Sequence, residues 1–201
     1  MSESPKGALI VFLKNPETCQ VKTRIAATTG PDVANDIYRE LTTLTLSTVK
    51  ASGIRSYLFY EGGLPASQMV DPHISYHVQS SGDLGQRMQS ALEFALQYHS
   101  GAVLIGSDCP DMSTAIVRQA LQQLDHHDLV LGPAVDGGYY LLGCKQIHPP
   151  LFDQIHWSSE KVLDQTLKKA DAAHLSHVLL ETLEDIDTEE DWKRYLCQSG
   201  I

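Results

Sequence analysis

The chain has 201 residues, 42% of them hydrophobic, and sets 25 acidic side chains against 15 basic ones, a formal net charge of −10. That length suits one domain with a full core, residues 1–201, and the acidic balance excludes the basic footprint needed to bind a nucleic-acid backbone. No apolar run nears the roughly 20 residues of a membrane span, residues 1–7 lack the apolar stretch of a signal peptide, and Cys19, Cys109, Cys144 and Cys197 form no Cys-x-x-Cys pattern, so a cytoplasmic protein with reduced thiols is expected.

In chain order, residues 8–13 form a short apolar run, as expected of the first, central strand of a parallel sheet. Residues 14–24 read as a loop that gathers three cations, Lys14, Lys22 and Arg24, with the hydroxyl of Thr23. This local reversal of sign suits the phosphates of a nucleotide, or a loop whose charges simply stay solvated. Pro16 and Val21 stand where a Walker A loop needs glycines, so that motif is absent. Pro31 opens a helical pattern carried by Val33, Ile37, Leu41, Leu44 and Val49 and closed by Gly53. Residues 56–60 and 74–78 read as strands two and three, and Leu84, Met88, Leu92 and Leu96 as one face of the next helix. Asp83 and Arg87 lie one turn apart at its start, where they either meet a base or ribose or pair with each other.

Residues 102–106 have the uncharged character of a strand buried on both faces, and the run ends in Asp108-Cys109-Pro110-Asp111 before Ser113 and Thr114 open a helix. A carboxylate at the C-terminal tip of a central strand stands at the edge where open α/β sheets bind ligands, well placed to hold a divalent cation on a phosphate. Ile116, Val117, Ala120, Leu121 and Leu124 continue the helix, and His126-His127 read as its solvated end. A further apolar strand runs from 128 to a second carboxylate, Asp136, after which Gly137 and Gly138 remove two side chains and so let a ligand approach the backbone. Tyr139 resumes a strand, and the opening is wide enough to floor a sugar or an acceptor. Trp157 is read as packing or as a sugar-stacking wall. Val162, Leu163, Thr166 and Leu167 mark another helix, residues 177–180 a late strand, and Thr188 with Asp191 a capped helix start. Asp185 and Asp187, just before that cap, have no such structural task.

Five ordered motifs carry a resemblance over nearly the whole chain. They are residues 12–16 with 21–24; Gly82-Asp83-Leu84-Gly85-Gln86-Arg87-Met88; Gly106-Ser107-Asp108-Cys109-Pro110; residues 131–134 with Asp136-Gly137-Gly138-Tyr139-Tyr140; and residues 185–191. Together they resemble small bacterial glycosyltransferase-like proteins of the DUF2064 family. That family has the nucleotide-diphospho-sugar transferase (GT-A) fold and is related to the nucleotidyltransferases of molybdenum-cofactor and F420-precursor synthesis. The resemblance implies a single three-layer α/β/α domain with a mostly parallel central sheet. It implies phosphates near Lys14, Lys22, Thr23 and Arg24, with Asp83, Arg87, Gly137, Gly138 and Tyr139 as further nucleotide or substrate contacts. It also implies a Mg²⁺ or Mn²⁺ held by Asp108 and Asp187, with Asp136 and Asp187 as candidate catalytic groups. A hard cation agrees with an all-carboxylate ligand set. The expected function is metal-dependent transfer of a sugar from a nucleotide diphosphate to a small-molecule acceptor. The alternatives are a nucleotidyltransferase that joins an NTP to a phosphorylated small molecule, and a catalytically inactive nucleotide-binding protein. The last is motivated by Cys19, which stands where the family usually has glycine.

Overall fold

The computed structural model describes residues 7–66, 68 and 70–199; residues 1–6, which belong to the segment read as lacking a signal peptide, lie outside them. The apolar runs become the strands of one sheet: β1 (Gly7–Lys14), β2 (Ser56–Glu61), β3 (Ile74–Val78), β4 (Gly101–Ile105), β5 (Leu129–Pro133), β6 (Tyr139–Cys144) and β7 (His177–Leu179). Their order is β3-β2-β1-β4-β6-β5-β7. Among the described residues only β6 runs antiparallel to its neighbours, β4 and β5, so the sheet is mostly parallel. Every residue of β4 and of β5 is buried, as strands covered on both faces must be.

Alternation along the strands divides the core into two layers. Leu9, Val11 and Leu13 point to one face with Val103 and Ile105, against Val49 of α2 (Pro31–Ser52) and Ile116, Val117 and Ala120 of α4 (Thr114–Gln123). Ala8, Ile10, Tyr57, Phe59, Ala102 and Leu104 point to the other, against Met88, Ala91, Leu92 and Ala95 of α3 (Leu84–Leu96) and Ala170 of α5 (Val162–Ala172). This is the expected α/β/α sandwich. A smaller third cluster joins Ile25 of α1 (Thr23–Thr29) to Ile37, Leu41 and Ile186, with Trp192 and Tyr195 of α6 (Glu189–Ser199) against it.

The starts of α3 and α6 follow their capping chemistry. Asp83 accepts from the Gln86 amide while the Gln86 side chain accepts from the Asp83 amide, a full capping box. Thr188 and Asp191 exchange the same kind of bonds at 2.7 and 3.2 Å. Three expectations change. The basic loop ends at Lys22, because Thr23 and Arg24 already belong to α1, a short helix with a single buried residue. Val33 faces outward, 45% exposed. The fifth strand stops at Pro133, since the backbone turns through residues 134–138 before β6. Among the described residues no helix is long and apolar enough to cross a membrane.

Candidate active site

One edge of the sheet collects the C-terminal ends of β1, β2, β4 and β5 and, because it is antiparallel, the start of β6. Past β7 the chain continues along β5: Leu183 bridges Ala134, and the Leu183 amide donates to the Pro133 carbonyl at 3.1 Å. The Ile186 amide then donates to the Asp108 carbonyl at 2.9 Å. Ile186 is buried in the third cluster, which leaves its neighbours Asp185 and Asp187 to line a cleft of about 600 Å³ along this edge. That volume lies within the range of small-molecule sites.

Asp136, Asp185 and Asp187 each bring a carboxylate oxygen within 4.8 Å of the others. Burial, and then repulsion from Asp136 and Asp187, pushes the Asp185 carboxyl up to about 6. Like charges held together this way repel one another, and a bound cation would relieve that repulsion. Every donor is a hard oxygen, the chemistry that suits Mg²⁺ or Mn²⁺, and the three residues fit such an ion. The Asp136 carboxylate also accepts from the Gly138 amide at 2.8 Å, which fixes it on its turn.

The expected site residues are brought together unevenly. Lys14, Lys22, Thr23, Arg24, Arg87, Asp108, Asp136, Gly138, Tyr139 and Asp187 all line the cleft. The cations, however, are engaged by acids. Lys22 sits in a left-handed conformation at φ 46°, and only 6% of its side chain is exposed. Its ammonium pairs with Asp108, donates to the Ile186 carbonyl at 2.6 Å and lies 3.9 Å from Asp187. Arg24 donates to Asp187 at 2.8 Å. Asp108, expected as a metal ligand, therefore has a protein cation for a partner, and Asp185 stands in the carboxylate cluster instead.

Two further readings change. Asp83 and Arg87 do not pair with each other: Asp83 is the α3 cap, and Arg87 reaches Gln79 at 3.0 Å and Glu61 at 3.3 Å. Gly137 serves the protein rather than a ligand. Its φ is +87°, and a Cβ there would collide with the Glu160 backbone. Trp157 both packs and lines: its ring lies against Gly85, where an added Cβ would come within 2.5 Å, and faces the cleft beside Met88 and Leu84. Sequence reasoning missed Glu61, Gln79 and Tyr38 of the cleft wall. Glu61 had a signal, since it ends β2 as Asp108 follows β4. Tyr38 had none; its hydroxyl accepts from the Lys14 amide at 2.6 Å and donates to the Lys14 carbonyl at 2.9 Å, and burial pushes its ionisation up. Cys19 does not line this cleft. Its Sγ lies 3.5 Å from the Glu61 carbonyl and beside Gly62.

Residues 44–159 match the family described as "Uncharacterized protein conserved in bacteria (DUF2064)". A structure from Desulfovibrio desulfuricans G20, provisionally named a nucleotide-diphospho-sugar transferase, is 32% identical. It superposes with a TM-score of 0.88 over 96% of this chain and 87% of that one. Two more distant structures share the fold. One is 4-diphosphocytidyl-2C-methyl-D-erythritol synthase from Anaerococcus prevotii DSM 20548, at 12% identity and TM-score 0.63, covering 97% and 98% of the two chains. The other is Rv0371c from Mycobacterium tuberculosis H37Rv in complex with manganese, at 15% identity and TM-score 0.59, covering 94% and 97%. No curated protein matches the chain.

Proposed function

Since the chain belongs to the DUF2064 family, we propose that it is a divalent-metal-dependent transferase that takes a nucleotide diphosphate sugar and moves the sugar to a small-molecule acceptor. The observation that carries this reading is the convergence of Asp136, Asp185 and Asp187 in a cleft that also presents Lys14, Arg24 and Arg87. Asp136, Asp185 and Asp187 would hold the ion. When bound, Mg²⁺ or Mn²⁺ supplies positive charge against the diphosphate as it leaves.

The chain's own residues do the positioning. Lys22 ties the Asp108 loop to residues 186–187, so the carboxylates reach the cleft from a braced edge. Arg24 steadies Asp187 and, with Lys14 at 49% side-chain exposure, meets phosphate oxygens. Trp157, Leu84 and Met88 exclude water along one wall, which strengthens each charge interaction inside. In this reading the Asp136 carboxylate, the most exposed of the three, gives one oxygen to the ion and accepts the acceptor hydroxyl's proton on the other.

The test is a thermal-shift panel of UDP-, GDP- and dTDP-sugars and of CTP, GTP and ATP, each with Mn²⁺, with Mg²⁺ and with EDTA. A ligand at about 100 times its Kd adds about 2.7 kcal/mol, which for a chain of this size raises Tm by roughly 5–10 °C. Stabilisation by a nucleotide sugar only in the presence of metal is the expected result. A metal-dependent response confined to a triphosphate replaces this reading with nucleotidyl transfer, and no response to any of them overturns the enzyme reading.

A further inference from the structure

The sheet order fixes the order of groups along the cleft. Glu61 ends β2, Lys14 ends β1, Asp108 follows β4, and Asp136 lies between β5 and β6 beside Asp185 and Asp187. From β2 to the β6–β5 pair is three to four strand spacings, on the order of 15 Å. A nucleoside diphosphate laid along this edge with its phosphates toward the carboxylate cluster puts its base against Glu61 and Arg87.

These two side chains are held from behind. The Gln79 amide nitrogen donates to the Leu13 and Phe59 carbonyls, both at 3.1 Å, so its oxygen must face the other way, and it accepts from Arg87 at 3.0 Å. The same Arg87 nitrogen lies 3.3 Å from Glu61 Oε2, and Lys14 lies 3.9 Å from that oxygen. The Glu61 backbone is fixed in turn, its carbonyl accepting from the Asn15 amide at 2.9 Å. Arg87 Nε is buried and, among the described residues, has no partner. Phe12, Leu84, Met88 and Trp157 supply apolar surface in the same cleft. A carboxylate offers about four acceptor positions, and both cations engage a single oxygen of it.

We propose, resting on the nucleotide-donor reading above, that Glu61 and Arg87 select guanine. The hydrogen-bonding edge of guanine carries an acceptor, O6, beside two donors, N1–H and N2–H. A carboxylate takes the two donors together, while the neighbouring Arg87 guanidinium takes O6. The other bases fit this pair poorly. Adenine turns the N1 lone pair toward the carboxylate, and uracil flanks its one N–H with two carbonyl oxygens. Cytosine has one amino group beside two acceptors. Each would leave a partly buried charge facing a lone pair, and that penalty makes discrimination large.

The test measures the Kd of GDP, ADP, UDP and CDP with Mn²⁺ present by calorimetry, for the wild-type chain and for Glu61→Gln. The expectation is that GDP binds at least about tenfold more tightly than the others, a bidentate base contact being worth about 1–3 kcal/mol. Glu61→Gln should remove that preference while changing the other three little. Equal wild-type affinities for the four bases overturn the proposal and leave the donor reading standing. So does an equal loss for all four in Glu61→Gln, which would assign Glu61 to the ribose. Binding of none of them overturns the donor reading itself. If Glu61→Gln does not fold, the wild-type ranking alone decides.

Discussion

Both ends of the cleft are made of carboxylates and cations, yet they are wired in opposite ways. At the β4–β6 end, Asp108, Asp136, Asp185 and Asp187 face two cations, Lys22 and Arg24; at the β2 end a single carboxylate, Glu61, lies between Lys14 and Arg87. The first end has more negative charge than its own side chains neutralise, and Asp185 is raised there first by burial and then by repulsion from Asp136 and Asp187. The second has one cation more than its carboxylate neutralises, and it is braced on backbone carbonyls through Gln79. An acid surplus calls for a cation from solution. An anchored carboxylate between two cations instead presents donors and acceptors in a fixed order, which suits recognition.

The comparison breaks first if the carboxylate cluster does not need a cation. Asp185→Asn should cost more than about 100-fold in Mn²⁺ affinity by calorimetry, beyond the 10–100-fold typical of residues that only support a ligand. In EDTA the same variant should gain stability. Asp185 is held at about 6 in the folded chain against an ordinary 3.8, so on raising the pH the unfolded chain ionises first. This group therefore withdraws stability between about pH 4 and pH 6 and changes nothing further above that window. Discounted for partial exposure, the loss is about 1 kcal/mol, and Asp185→Asn should abolish it in urea titrations run across that range. A decline equal in both proteins would mean that neither burial nor repulsion from Asp136 and Asp187 raises Asp185.

The next effect concerns the brace at the acid end. Lys22→Met leaves Asp108 and the Ile186 carbonyl without their shared donor, a loss of about 2 kcal/mol and a Tm lower by about 4–8 °C. The variant should also show altered Mn²⁺ affinity, because Asp187 loses a nearby positive charge. An unchanged Tm would reduce Lys22 to a surface cation and remove the distinction drawn between the two ends.

How much of this was legible beforehand depends on how far each feature reaches along the chain. Strands such as 102–106 announce themselves by apolar runs, and Thr188 by a capping pattern that spans three residues, whereas Asp83 reads as a ligand or Arg87 contact although it caps α3. Asp185 and Asp187 were marked by having no local task, yet their meeting with Asp136 depends on residues 183–187 extending β7 alongside β5, a pairing about 50 residues apart that no local pattern encodes. A still longer separation along the chain hid the pairing of Lys22 with Asp108, and so the three cations of residues 14–24 read as open charges. Helix α1 escaped because it buries only Ile25 and starts from a left-handed lysine without a side-chain cap. Gly137 was recognised as a place of close approach, but the approaching backbone is Glu160.

Between the two ends lies the apolar wall, and a small change there sharpens the comparison by leaving both charged clusters alone. Gly85→Ala would push a methyl group into the Trp157 ring. Overpacking of this kind costs about 1–3 kcal/mol, with the ring displaced into the cleft. Nucleotide affinity should fall while Mn²⁺ affinity stays put, measured on the same samples. If both fell together, the cleft would be one cooperative unit rather than two ends joined by a wall.

The smallest expected effect is at Cys19, the residue that motivated the inactive-binder reading. Its sulfur lies against the Glu61 carbonyl and Gly62, outside the residues that line the cleft, and no positive φ is required there. Cys19→Ala should therefore stay within about 0.5 kcal/mol of wild type and leave nucleotide affinity unchanged. A variant that binds nucleotide more tightly would mean that the thiol restrains the β1–α1 loop when ligand enters, and the inactive-binder reading would then gain a physical cause. An unchanged affinity removes the one residue that argued for it, because the carboxylates and cations of both ends are otherwise all in place.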